Sequence, residues 1–227
     1  MRRLLTITLL AILLPAGFSC KKTPAPLPED PCIATGDLLF VGIPMNYKED
    51  NMSQAIADAT SSGDTINFIH TAILEVDPEG AVWVIDATMA YGVDRHPLDT
   101  LLAQFTLHEN GAKATFDVMR LSDDREALAY VEKAKTWLGE PYDPSFLPEN
   151  GKHYCTELVY DAYVGSDGAH RFETVPMNFK NKEGAMPAYW TWLFGQLGEP
   201  VPQGVPGTNP QQMHASPQLV HIMYVEQ

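Results

Sequence analysis

Apolar and polar positions alternate from 67 to 76. Phe68, His70, Ala72, Leu74 and Val76 take one face of a strand, and Ile69, Thr71, Ile73 and Glu75 the other. Asp77-Pro78-Glu79-Gly80 then supplies turn chemistry, with Pro78 at the first central position and Gly80 left-handed. A returning strand over 82–87 places Val82, Val84 and Asp86 on one face. This turn pairs Asp77 with Ala81 and therefore puts Asp86 opposite Ala72, diagonal to His70. A one-residue slip would send Asp86 to the wrong face. Residues 36–41 read as a turn and a buried strand, 114–121 as another strand, and 218–226 as a last one.

Helical spacing appears at 53–60, at 97–104 and most clearly at 125–138. In the last, Leu128, Val131, Ala134, Lys135 and Leu138 recur three and four apart before Gly139 and Pro141 stop the helix. A further stripe of Leu158, Val159, Ala162 and Tyr163 follows Cys155. It predicts that Cys155 sits in the first turn of a helix, on its inward face. Unpaired N–H groups and the positive end of the dipole gather there and favour a thiolate, which is the useful nucleophile. Residues 142–152 read as a loop, and 89–93 as a loop beside Asp86. The stretch after Gly165 is rich in Pro, Gly and aromatics, and Phe179, Tyr189, Trp190, Trp192 and Phe194 are candidates to cover the core or line a pocket.

The chain of 227 residues is long enough for one domain with a sizeable core. Its start reads as an export signal: Arg2 and Arg3, an apolar run over 4–14, then Pro15-Ala16-Gly17-Phe18-Ser19-Cys20. Residues 1–19 are expected to be removed, with lipid added to Cys20 and residues 20–34 serving as a Pro-rich tether. That places a domain over 35–227 on a bacterial cell-envelope membrane. Of 15 Lys and Arg, the loss of Arg2 and Arg3 leaves 13 basic residues against 29 acidic. Such a balance opposes nucleic-acid binding and charge-driven docking on anionic lipid. Cys32 and Cys155 show no disulfide-framework spacing and are expected to be free thiols.

His70 is the candidate base for Cys155, and Asp86 the candidate orienter of its ring. The alternatives are a satisfied core histidine, a zinc site made of His70, His153, Cys155 and Asp86, or a cleft that binds peptide or lipid without catalysis. His96, His108, His170, His214 and His221 have no obvious acid partner and read as solvated. His153 is expected at the mouth of the cleft.

Five segments appear in a recognisable order: Gly36-Asp37-Leu38-Leu39-Phe40, Ile69-His70-Thr71-Ala72-Ile73, Val84-Ile85-Asp86-Ala87, Gly139-Glu140-Pro141-Tyr142-Asp143 and Tyr154-Cys155-Thr156-Glu157-Leu158-Val159. Together they resemble the YiiX/YebB-like branch of the NlpC-type papain-like cysteine hydrolases, with His before Cys as in circularly permuted members. The resemblance implies an α+β fold in which an antiparallel sheet or barrel bearing His70 packs against helices, one carrying Cys155. It implies Cys155 as nucleophile, His70 as base and Asp86 as the third member. It requires no cofactor or metal. The family usually has Glu at that third position, so the shorter Asp86 implies a looser or water-mediated contact. Tyr154 and Glu157 match motif positions and, with Tyr91 beside Asp86, are the candidate substrate contacts, a structural pairing within the core being the alternative for Glu157. The implied chemistry is hydrolysis of an amide, in a cell-wall peptide or peptidoglycan fragment or in an acylated amide, through an acyl-thioester.

Overall fold

The computed structural model describes residues 32–63, 65–105 and 113–226. In chain order the elements are β1 (Leu38–Pro44), α1 (Met52–Thr60), β2 (Ile66–Val76), β3 (Val82–Thr88), β4 (Gly92–Pro97), α2 (Leu98–Gln104) and β5 (Thr115–Leu121). There follow α3 (Ala127–Lys135), α4 (Cys155–Ala162), β6 (Val175–Pro176), α5 (Ala188–Leu197), β7 (Pro206–Gly207), α6 (Pro210–His214) and β8 (Leu219–Val225). Six strands form one antiparallel sheet in the order β4-β3-β2-β1-β5-β8, and β6 and β7 make a small ribbon.

Alternation along the central strands feeds two cores. Leu38, Phe40, Ile73 and Ile85 meet Val131 and Ala134 of α3 and Leu158, Val159 and Ala162 of α4. Leu39, Val41, Leu74, Val84 and Val118 meet Leu101 of α2 and Ala57 of α1. Burying each such side chain contributes roughly 1.5–3 kcal/mol, which fixes α4 against the sheet. A third cluster gathers Phe146, Tyr154, Met177, Phe179, Trp190 and Phe194 around α5.

The hairpin forms in the expected register. Asp77 N donates to Ala81 O at 3.0 Å, and Val76 pairs with Val82 and Ile73 with Ile85, so the next pair outward is Ala72 with Asp86. One expectation fails within β2. Val41 pairs with His70 but Gly42 pairs with Phe68, leaving Ile69 as an extra residue. This bulge switches faces: Phe68 joins the core of Ile73, while Ile69 joins that of Ala72 and Leu74. A bulge bends the strand and re-aims the side chain beside it, here His70.

Residues 92–97, partly read as loop, form β4. Its Asp94, Arg95 and His96 hide the strand pattern, and such polarity suits an edge strand that Pro97 ends. Gly92 is required at its start: φ is 70°, and a Cβ there would lie 2.1 Å from the Glu140 carbonyl oxygen. Val93 N donates to that same oxygen at 2.8 Å, which ties β4 to the loop carrying Tyr142. Helix α3 is shorter than the spacing predicts. Leu128 and Leu138 are exposed, and Tyr130 takes an inward position instead.

Candidate active site

Helix α4 begins at Cys155, with Tyr154 as an extended N-cap. Glu157 reaches back to accept from Tyr154 N at 3.4 Å, half of a capping box. Leu158, Val159 and Ala162 anchor the helix in the core, so the buried thiol is presented at a helix start that cannot drift. From the far side, Thr208 N donates to the Tyr154 hydroxyl at 3.0 Å and Thr208 Oγ1 donates to Thr156 Oγ1 at 2.8 Å.

The bulged strand brings His70 to this point. Its Nε2 lies 2.7 Å from Asp86 Oδ2, and its ring lines the same cavity as Cys155. With Nε2 given to Asp86, Nδ1 is the nitrogen left for sulfur. The contact with Asp86 is direct, not loosened or bridged by water as the shorter side chain implied. Burial opposes a charge on His70, but the hydrogen-bonded Asp86 carboxylate, aided by the nearby Cys155, outweighs it and raises its pKa to about 10. Burial likewise opposes ionisation of Asp86, yet bonds from His70 and His96 hold it below its ordinary range. The resting form of His70 is therefore an imidazolium, held between the Asp86 carboxylate and the Cys155 sulfur.

Cys155 stands where two cavities meet. One, about 230 Å³, runs between Phe146, Tyr154, Met177, Phe179 and Trp190. The other, about 370 Å³, is lined by His70, Met52, Ile69, Met89 and Tyr189. Ile56, Tyr142 and Cys155 border both. The result is a two-armed, largely apolar cleft with a sulfur nucleophile at its junction, and a substrate carbonyl placed there would have a group on either side.

Of the expected substrate contacts, only Tyr154 lines the cleft. Tyr91 is 66% exposed at the β3–β4 turn, its N–H held by Thr88 Oγ1, and borders neither cavity. Glu157 is spent on the helix cap. His153 is not at the cleft mouth: it is buried with Nδ1 3.1 Å from Glu140 and Nε2 3.4 Å from Asp161. The four-residue zinc set of the sequence reading is therefore not assembled, and among the described residues no three His, Cys, Asp or Glu are grouped to hold a metal ion.

Three residues were overlooked. Tyr142 borders both arms, and its place in the Gly-Glu-Pro-Tyr-Asp segment was the available signal. For Thr208 the available signal was its place in the Gly207-Thr208-Asn209-Pro210 segment. His96 is not solvated: it is buried on β4 with Nε2 3.1 Å from Asp86 Oδ1. His214 and His221 also have an acid partner, Asp117, and His170 stacks on Tyr160, while His108 lies outside the described residues. Cys32 is exposed and Cys155 buried, both free; Cys20 lies outside the described residues. No helix among them is long and apolar enough to cross a membrane.

The chain is similar to known proteins. The chain is 26% identical over 193 residues to the protein YiiX of Escherichia coli strain K12, covering 83% of this chain and 85% of that one. It also resembles a solved crystal structure of YiiX from Escherichia coli O157:H7, described there as a metalloprotein, with 25% identity and a TM-score of 0.63 over 84% of this chain and 96% of the other. The family model for the permuted papain-like amidase enzymes, YaeF/YiiX, C92 family, matches residues 32–223. A match of that extent, over a papain-like pairing of helix-start cysteine and strand histidine, makes this chain a member of the YaeF/YiiX family of permuted papain-like amidases, enzymes that hydrolyse amide bonds.

Proposed function

We propose that the protein hydrolyses an amide whose acyl part is apolar, with Cys155 as nucleophile, His70 as general base and acid, and Asp86 holding the ring. The observation that carries this reading is the convergence of the three side chains at the junction of two apolar arms. Sγ of Cys155 attacks the carbonyl carbon, and the carbonyl electron pair moves to oxygen. The backbone N–H of Cys155 at the helix start suits that oxyanion, as does the phenol of Tyr142, which donates weakly to Met52 sulfur at 3.8 Å. His70 gives its proton to the leaving amine as the C–N bond breaks, leaving a thioester. His70 then takes a proton from water, the resulting hydroxide attacks the thioester, and acid and thiolate are released beside a reprotonated ring.

The apolar lining favours an acylated amide over a polar stem peptide or peptidoglycan fragment. Tethering of the mature chain through Cys20 would keep it where such substrates partition. The description of the relative as a metalloprotein gains no support from the arrangement of His, Cys, Asp and Glu among the described residues. A series of N-acyl p-nitroanilides tests the reading. Each added methylene buried in an arm is worth roughly 0.8 kcal/mol, so kcat/KM should rise about 2- to 4-fold per methylene until an arm is full. A flat series, or faster turnover of a stem peptide, would overturn the choice of substrate.

A further inference from the structure

His96 lies behind Asp86, away from the thiol, and no step above uses it. Its place follows from the β3–β4 register. Asp94 stands directly opposite Asp86, and His96 opposite Val84, diagonal to Asp86 on the same face. Two carboxylates facing each other across a ladder repel, so the ring beside them has an electrostatic task.

Both nitrogens of His96 meet acceptors. Nε2 is 3.1 Å from Asp86 Oδ1, and Nδ1 is 3.2 Å from the Pro97 carbonyl oxygen. A carbonyl oxygen cannot donate, and a carboxylate cannot either. Each nitrogen is therefore satisfied only by carrying a hydrogen, which makes the ring a cation. Asp86, 1% exposed, has each oxygen claimed by one imidazole.

We propose that His96 is a positioning residue: a second imidazolium that clamps Asp86 as an anion and lowers the proton affinity of the His70–Cys155 pair. This rests on the assignment of Cys155 and His70 made above. The groups acting here are Asp86 on β3, Asp94 and His96 on β4, His70 on β2 and Cys155 on α4. With His96 charged, two cations flank the Asp86 carboxylate, and Asp94 faces it across the ladder. Without it, the buried line carries an excess negative charge that holds protons more tightly. His70 must surrender its proton to the leaving amine, so a nearby cation that weakens its grip serves turnover.

The test reads the charge directly. In ¹⁵N-histidine NMR spectra of the purified chain at pH 7, with the His96 signals identified by their loss in His96→Gln, both ring nitrogens should show shifts of protonated nitrogen. A neutral tautomer would overturn the proposal. A second readout needs no substrate: the pH dependence of iodoacetamide alkylation at Cys155, followed on the peptide that contains it. His96→Gln keeps a donor toward Asp86 but removes the charge, so both the acid ionisation and the His70 ionisation should move up by about one pH unit, the latter more. A uniform fall in rate with both ionisations in place would mean that His96 only packs, and would overturn the proposal. Failure of the enzymatic reading looks different: Cys155 would then react with an ordinary thiol profile in the unaltered chain.

Discussion

The sheet carries two carboxylates that are each held between two imidazoles. At one end Asp86 lies between His70 and His96, and nearer the other Asp117 of β5 lies between His214 Nε2 at 2.9 Å and His221 Nδ1 at 2.7 Å. The hydrogen bonds are alike; the surroundings are not. The side chains of His70 and His96 are each 9% exposed, whereas those of His214 and His221 are 22% and 47% exposed. Phe105 lies beside the His70 ring, which lines a cavity with Cys155, while His214 stacks on Phe68 at 3.7 Å. The second cluster joins α6 to β5 and β8, and so fixes the segment that carries Thr208 and Pro210 into the cleft wall. A histidine–aspartate pair by itself is a staple. It serves chemistry where a nucleophile and an enclosed space adjoin it.

The largest difference should appear on deletion. Cys155→Ala and His70→Ala are each expected to lower kcat/KM by roughly 10³-fold or more, because neither the nucleophile nor its proton acceptor has a substitute. His214→Ala and His221→Ala should stay within about 5-fold, with any loss in KM through the slackened α6 segment. Steady-state kinetics on one acyl anilide would decide; normal turnover by Cys155→Ala would end the assignment of that residue.

Replacing the central carboxylates sharpens the contrast. Asp86→Asn should cost roughly 10²- to 10⁴-fold in kcat, since the ring loses both its orientation and its counter-charge. The sign of the accompanying pH effect follows from His70, whose pKa is raised to about 10. The stabilisation of its imidazolium is complete below the unfolded value of 6.5 and is lost as pH rises through about 10. The alkaline limb of kcat/KM should therefore lie near pH 10 and move downward in Asp86→Asn, which removes the anion that holds the proton. Asp117→Asn should leave that limb in place and lower stability by roughly 1–3 kcal/mol, measured by urea unfolding.

The same contrast explains what could be read from the sequence. The hairpin register was legible because Pro78 and Gly80 fix the turn, and a turn fixes every pair beyond it. Cys155 was legible because Leu158, Val159 and Ala162 repeat at helical spacing. The bulge at Ile69 was not: alternation continues straight through it, and only pairing with β1 reveals the extra residue. His96 and Asp117 were hidden for a related reason. Each pairs with residues brought near by a neighbouring strand or helix, and β4, with three polar residues in a row, gives no apolar period to announce it. Tyr91 was misplaced because nearness in sequence to Asp86 does not say which way a side chain leaves the backbone, and of the two roles open to Glu157 the helix cap shows the structural one.

The smallest effect concerns Glu157, a carboxyl two residues from Cys155 that meets no imidazole. Burial and the charges of Asp143 and Asp161 push its pKa up to about 8, the reverse of what the two rings do to Asp86. The native state thus holds a proton that the unfolded chain has released, and stability should decline as pH rises from the unfolded value near 4.5 to about 8. Glu157→Gln removes that proton linkage and keeps an oxygen for the Tyr154 N–H. It should be nearly neutral at pH 5 and stabilising by roughly 1–3 kcal/mol at pH 9, with Tm compared at both values. A variant destabilised equally at both would mean that the carboxylate charge itself supports the start of α4, and that the two carboxyls flanking the thiol are held by the same means rather than by opposite ones.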